Sequence, residues 1–246
     1  VNLAPADLRK EGPCFDLPIA LGLLIASGQL DSPCLKGLWS AGELGLDGRL
    51  RPCRGILAIA CLAKSMGARG LLVAAEDAAE AALVRGLRVT AAASLKELVN
   101  LLRAGDLVQT AARAQQQTPR DQCAAAEPTT APHLLNLPAQ HLARQGLALS
   151  AIGGHHLLMV GPPGCGKTLL AQQLPALLPP LNDDEALEIT RLHSIAGLPR
   201  SEEQLIRQRP FRAPHHNASA AALLGGGANP RPGELSLAHG GVLFLD

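Results

Sequence analysis

The chain has 246 residues, of which 47% are hydrophobic, and its formal net charge is +1. The length predicts about two domains, and the near-zero charge argues against a strongly basic nucleic-acid surface, although local basic patches remain compatible with it. Its six cysteines include no C-x-x-C pair, which argues against a disulfide framework or a zinc site and favours free thiols in a reducing compartment.

Residues 1–108 alternate strand and helix patterns, which predicts a compact α/β domain. Asp47 and Gly48 form a dipeptide that is typical of a hairpin turn, and Ser94 with Glu97 forms a capping box at the start of the closing helix. The other predicted elements are a strand at the N-terminus, helices over residues 16–27, 54–66 and 77–85, and strands over 71–74 and 87–90.

Residues 109–132 are polar, contain several prolines and have no hydrophobic periodicity. This composition predicts a flexible linker. A disordered segment that binds a partner is the alternative interpretation.

Residues 133–246 form the predicted second domain. The expected elements are helices over residues 138–152, 169–174, 183–192 and 218–224, a glycine loop at 225–227 and strands at 157–160 and 242–245. We expect residues 157–160 to be a buried strand, because they are a continuous apolar run.

A glycine-rich motif follows that run. Gly161 to Thr168 fits G-x-x-x-x-G-K-[ST], between a predicted strand and a predicted helix, which is the phosphate-binding loop in its expected context. Glycines let the backbone fold tightly, so that its N–H groups converge on phosphates at a helix N-terminus. The predicted nucleotide-binding residues are Gly161, Pro162, Pro163, Gly164, Cys165, Gly166, Lys167, Thr168 and Leu169.

Two residues of this motif and one further carboxylate carry the expected chemistry. Lys167 is predicted to reach the β- and γ-phosphates of ATP, and the Thr168 hydroxyl to ligate Mg²⁺. Val242 to Asp246 is an apolar strand that ends in a carboxylate, as in the Walker B motif, so Asp246 is the second predicted metal-site residue. Lys167 and Asp246 are therefore the predicted catalytic residues.

The segments between these motifs resemble a known family. The stretches at 209–216 (RPFRAPHH), 224–227 (LGGG) and 231–246 (RPGELSLAHGGVLFLD) are similar to the magnesium-chelatase-like AAA+ ATPases of the ComM/YifB type. The run before Asp246 is also similar to MCM helicases and bacterial enhancer-binding proteins. The resemblance implies ATP hydrolysis in a ring-shaped homo-oligomer, a hexamer, that acts on branched or single-stranded DNA during recombination in natural transformation.

The first domain resembles the Lon protease fold. Lys10 to Cys14 (KEGPC) matches the stretch that carries the Lon serine nucleophile, and Leu57 occupies the position of the catalytic lysine. A cysteine nucleophile needs a stabilised thiolate or an adjacent base. The match therefore favours a degenerate protease fold used for assembly or DNA contact over an active peptidase.

Three smaller groups have two interpretations each. His215 and His216 are either metal ligands or structural, phosphate-sensing residues beside the nucleotide. A basic cluster (Arg207, Arg209, Arg212, with Arg231 close in sequence) is either a DNA phosphate contact or a solvated face. Cys165 is expected to be reactive but not essential, because the loop works through its backbone there.

We therefore predict a degenerate Lon-like α/β domain followed by a phosphate-loop AAA+ αβα sandwich truncated at the Walker B strand, in a cytoplasmic protein with ATP and Mg²⁺ as cofactors and no membrane partner. Both ends of the sequence look truncated, so we expect a fragment that binds nucleotide weakly without hydrolysing it. The alternative functions are an ATPase that remodels a protein or metal-chelation partner, and an ATP-dependent peptidase.

Overall fold

The computed structural model describes residues 13–105, 141–198, 205–226 and 230–246. Its contacts divide the chain into two compact units, residues 1–119 with 194–204 and residues 120–193 with 205–246. The predicted N-terminal strand, the predicted linker at 109–132 and Lys10 of the Lon-like stretch lie outside the described residues.

A three-stranded parallel sheet organises the first unit. Its strands are β1 (Leu38–Ser40), β4 (Gly70–Ala74) and β5 (Val89–Ala92), with β4 in the centre. All five residues of β4 are buried, as expected for a central parallel strand covered on both faces. A short antiparallel hairpin lies between the first two of these strands in sequence, with β2 at Glu43–Leu44 and β3 at Leu50–Arg51.

The helices of this unit are α1 (Asp16–Ala26), α2 (Ile56–Ser65), α3 (Ala78–Ala81) and α4 (Leu95–Ala104). Three of these four helices, α1, α2 and α4, begin and end close to where the sequence predicts. The predicted capping box is confirmed, since the Glu97 amide donates to Ser94 Oγ at 3.2 Å. Gly28 has a φ of +72°, which only glycine adopts freely, and it follows α1 as the predicted stop signal.

Two boundaries differ from the prediction. The helix expected at 77–85 is only four residues long, and the strand expected at 87–90 starts at Val89. Gly86 has a φ of +84° and places Leu87 in a turn, where its amide donates to the Val84 carbonyl at 3.3 Å. The pairing of Leu71 with Val89 then fixes the start of β5.

The core of the first unit is almost entirely aliphatic. Its buried members come from α1, the turn after α1, the hairpin, the sheet and α4: Leu17, Leu21, Leu30, Leu50, Leu72, Ala74, Ala92, Leu98 and Leu102. This composition agrees with the scarcity of aromatic residues in the sequence.

The second unit carries six described helices and two small strand pairs. The helices are α5 (His141–Gly153), α6 (Lys167–Ala171), α7 (Leu174–Leu177), α8 (Asp183–Ala196), α9 (Ala220–Leu224) and α10 (Glu234–Leu237). The strands are β6 (Phe211–Arg212), parallel to β9 (Val242–Leu243), and β7 (Gly225–Gly226), antiparallel to β8 (Arg231–Pro232).

Residues 157–160 do not form the predicted buried strand. The segment has no regular strand structure, and the side chains of Leu158 and Val160 are 86% and 89% exposed. A strand is defined by hydrogen bonds to a neighbour, and among the described residues none forms a ladder with this segment. The apolar run by itself therefore does not predict that these residues are buried.

Two other predictions for this unit need correction. The final strand covers Val242–Leu243 only, and Leu245 beyond it is 66% exposed. Gly225 and Gly226, predicted as loop, pair with Arg231 and Pro232. In the part of the chain that the structure describes, no helix is long and apolar enough to span a membrane.

Candidate functional site

The phosphate loop is a tight backbone turn that leads into α6. Gly164 and Gly166 have φ values of +77° and +86°, in the left-handed region where a side chain is strained. A Cβ atom on Gly161 would lie 2.9 Å from Cys165 Sγ, so a larger residue there would require the Cys165 side chain to move. The backbone thus has the compact form that the motif requires.

Lys167 is the first residue of α6, and its side chain folds back over the loop. Its Nζ donates to the carbonyl oxygens of Gly161 at 3.0 Å and Pro162 at 3.2 Å. The ammonium therefore lies at the mouth of the loop. Thr168 and the exposed Leu169 follow on the first turn of the helix, whose leading N–H groups have no acceptor within the helix.

The parallel pair β6 and β9 brings a second set of residues to a common edge. Arg212 is the register partner of Leu243, and the Phe244 amide donates to the Arg212 carbonyl at 2.8 Å. The rings of Phe211 and Phe244 stack across the pair with centroids 6.1 Å apart. Because parallel strands end at the same edge, the residues that follow Arg212 and Leu243 leave the sheet together.

Those following residues meet the phosphate loop in one cavity. A cavity of about 330 Å³ is lined by Thr168, His215, His216 and Asp246, together with Ala213, Pro214 and Phe244. A threonine hydroxyl and a carboxylate are the oxygen ligands that Mg²⁺ prefers. The donor set in this cavity therefore fits the metal that the sequence predicts, and Thr168 and Asp246 are the residues that would hold it.

The strand pair is joined to α10 by an ion pair. Arg212 donates through Nε and Nη2 to both carboxylate oxygens of Glu234. These hydrogen bonds hold the pKa of Glu234 below its ordinary value, against the opposing effect of burial. A bidentate pair of this kind fixes direction as well as distance, so it orients the end of β6 relative to α10.

Three members of the predicted basic cluster, Arg207, Arg209 and Arg212, have partners within the unit, whereas Arg231 is exposed. Arg207 lies 2.7 Å from the Asp183 carboxylate. Arg209 donates to the carbonyl oxygens of Pro179 and Gly240, both at 2.6 Å, and its side chain is only 13% exposed. Of the two interpretations, the DNA phosphate contact and the solvated face, neither describes Arg209 or Arg212.

The histidine pair has no metal-binding cluster around it. The His215 and His216 rings lie 4.1 Å apart, and the described residues contain no group of three or more His, Cys, Asp or Glu that could hold a metal ion. The structural or phosphate-sensing interpretation of the pair therefore stays a prediction, as does the metal-ligand interpretation.

At the two Lon-like positions that the structure describes, Cys14 and Leu57, the first unit does not have an activated nucleophile or a lysine. Burial raises the pKa of the Cys14 thiol above its ordinary value, so the thiolate is disfavoured. Leu57 is fully buried in α2. Cys53 is also buried, and burial with the neighbouring Asp77 carboxylate raises its pKa to about 12.

Sequence reasoning missed two features: the role of Glu234, and the fact that His215 and Asp246 line the same cavity. Glu234 gives no signal in the sequence, because its role depends on a partner 22 residues away. The signal for the second relationship is the register: each residue lies three positions after a member of the Arg212–Leu243 pair. This equal spacing of three residues can be recognised only when the pairing of the two strands is known.

Comparison with known proteins gives two family matches. The family described as magnesium chelatase, subunit ChlI, matches residues 133–246. The family described as subunit ChlI of Mg-chelatase matches residues 1–77.

Several curated proteins are similar along the whole chain. YifB of Salmonella typhimurium is 43% identical over 246 residues, which cover 100% of this chain and 46% of that protein. The competence protein ComM of Haemophilus influenzae is 43% identical over 248 residues, covering 100% of this chain and 47% of ComM. YifB of Escherichia coli is 42% identical over 246 residues, which cover 100% of this chain and 46% of that protein. The chain thus spans about half the length of these relatives.

Proposed function

Because this chain belongs to the magnesium-chelatase-like AAA+ ATPase family of the ComM/YifB type, we propose that it binds ATP and Mg²⁺ as the nucleotide-binding part of a motor. The observation that carries the proposal is the cavity shared by Thr168 of the phosphate loop and Asp246 at the end of β9. Parallel α/β sheets bind their ligands at the carboxyl ends of the strands, and Asp246 follows such an end.

The residues have separate roles in this proposal. The loop backbone and the first turn of α6 bind the phosphates, and Lys167 exchanges its two carbonyl acceptors for the β- and γ-phosphate oxygens. Thr168 and Asp246 hold Mg²⁺, which neutralises charge on the phosphates during hydrolysis. The 246-residue chain is expected to bind nucleotide without turning it over.

We further propose that the motor acts on DNA, as a branch-migration helicase during natural transformation and as a homo-hexamer. The proposal is supported by the 43% identity to a protein named for competence. The proposal does not place the DNA contact on Arg209 or Arg212, because both side chains are largely buried and bonded to groups of the same unit.

The test measures ATP hydrolysis by the protein encoded by the longest reading frame that contains this chain. The rate is compared with and without a synthetic four-way DNA junction, and Lys167→Ala serves as the blank. Strong stimulation by the junction, together with strand exchange, is the expected result. Hydrolysis that no DNA stimulates would contradict the DNA assignment and favour the alternative, an ATPase that remodels a protein or metal-chelation partner.

A further inference from the structure

We propose that His215 donates a hydrogen bond to the terminal phosphate of a bound nucleoside triphosphate, and that His216 holds the His215 ring in place. This inference rests on the proposed ATP site. It makes His215 the residue that distinguishes a triphosphate from a diphosphate.

The first argument is position. Arg212 and Leu243 are register partners in parallel strands, and His215 and Asp246 each lie three residues further along. Both side chains line the cavity that Thr168 closes on the loop side. If the loop bound a nucleoside triphosphate, Thr168 would lie beside its terminal phosphates, and His215 lines the same cavity as Thr168.

The second argument is which ring nitrogen carries the proton. The Asn217 amide donates to His215 Nδ1, with the two nitrogens 3.2 Å apart. A nitrogen that accepts a hydrogen bond carries no proton, so the neutral ring has its proton on Nε2. The other ring nitrogen, Nε2, is then a hydrogen-bond donor, and a donor on a side chain that lines this cavity suits a phosphate oxygen.

The third argument is that the ring is held before any ligand arrives. The His215 carbonyl accepts from the Ala218 amide at 2.8 Å, which closes the turn after Pro214. The His216 ring lies 4.1 Å from the His215 ring, tilted by 32°. The backbone is therefore restrained by this turn, and the His215 ring lies against the His216 ring, although both histidines are exposed. Such preorganisation reduces the entropy lost when the ligand binds.

The experiment measures the dissociation constants of ATPγS and ADP, each by competition with a fluorescent ADP analogue, in the 246-residue chain. We expect His215→Ala to weaken ATPγS binding by about tenfold, as for one hydrogen bond to a charged group, and to leave ADP within about twofold. His215→Gln, which keeps an N–H donor, should recover part of the loss. His156→Ala is the matched control, because His156 is an exposed histidine of the same unit that does not line this cavity.

Three results would overturn the inference. One is an unchanged ratio of ATPγS to ADP affinity in His215→Ala. Another is an equal loss for both nucleotides, which would indicate a structural role. The third is a loss that vanishes when Mg²⁺ is removed with EDTA, which would indicate a metal ligand. If the unmodified chain binds neither nucleotide, the proposed ATP site fails as well, so the two failures are distinguishable.

Discussion

Arg212 on β6 and Glu234 on α10 form a two-pronged hydrogen-bonded ion pair, with Nε 2.5 Å from Oε2 and Nη2 2.7 Å from Oε1. The two side chains are 31% and 24% exposed, so the pair is only partly screened by water. Arg212 is also the last residue of β6 before the turn that carries the histidines. The pair therefore positions the strand end from which one wall of the cavity is built.

Replacing Arg212 by alanine should destabilise the second unit by about 2 kcal/mol, because Glu234 loses both hydrogen bonds to Arg212 while its side chain stays largely buried. Hydrogen exchange measured by mass spectrometry should show faster exchange in peptides that span 205–246 and unchanged exchange in β4 and β5. Arg191→Ala is the control, since Arg191 forms an exposed pair with Glu188 at 3.6 Å, and such pairs contribute little. Equal effects of the two substitutions would contradict the role given to Arg212.

The same pair predicts a pH dependence. The pKa of Glu234 is lowered in the folded protein, chiefly by its hydrogen bonds to Arg212. A lowered pKa stabilises the folded state above the ordinary glutamate pKa of about 4.3, and this stabilisation is lost as the pH falls through the folded value. The difference in urea midpoint between the unmodified protein and Glu234→Gln should therefore be constant from about pH 6 upward and shrink below about pH 4. A difference that is unchanged at low pH would exclude this explanation.

Gly241 should not tolerate a side chain. A Cβ atom there would lie 2.1 Å from the Pro210 carbonyl oxygen, which also accepts from the Val242 amide at 2.8 Å. Gly241→Ala should force β6 and β9 apart and cost about 3 kcal/mol, measured by urea denaturation. Gly22→Ala is the control, because nothing lies within 4 Å of a Cβ atom placed at Gly22 in α1. Alanine at that position should stabilise the folded protein by about 1 kcal/mol.

Cys14 should be chemically inert under native conditions. Burial raises the pKa of its thiol, and the thiolate is the reactive form. Its alkylation by iodoacetamide at pH 7 should be much slower than that of a free cysteine, with the rate followed by peptide mass spectrometry. Casein cleavage should be absent in the unmodified protein and in Cys14→Ala alike. Cleavage that Cys14→Ala abolishes would restore the peptidase interpretation.

Local signals in the sequence predict most of the elements of the first unit. Ser94 and Glu97 cap α4 through neighbouring backbone groups, and Gly28 stops α1 through its own dihedral angles. Such interactions depend only on residues a few positions away. The phosphate motif is local in the same sense, which is why its glycines adopt the expected backbone form.

Relationships between distant segments could not be predicted. Leu158 and Val160 form part of an apolar run, but burial depends on strands that pair with them, and the run itself carries no such information. Arg209 and Arg212 have the composition of a nucleic-acid contact, but their partners lie 22 to 31 residues away. The number of arginines in this segment of the sequence therefore overestimates the basic surface that is available to a ligand.

The most direct test of the proposed site is the binding of a fluorescent ATP analogue to the 246-residue chain, titrated with and without Mg²⁺. The account predicts saturable binding that Mg²⁺ strengthens, no measurable binding in Lys167→Ala, and binding in Asp246→Asn that Mg²⁺ no longer strengthens. Saturable binding that survives Lys167→Ala, or a Mg²⁺ effect unchanged in Asp246→Asn, would contradict the assignment of the phosphate loop and the Asp246 edge to one nucleotide site.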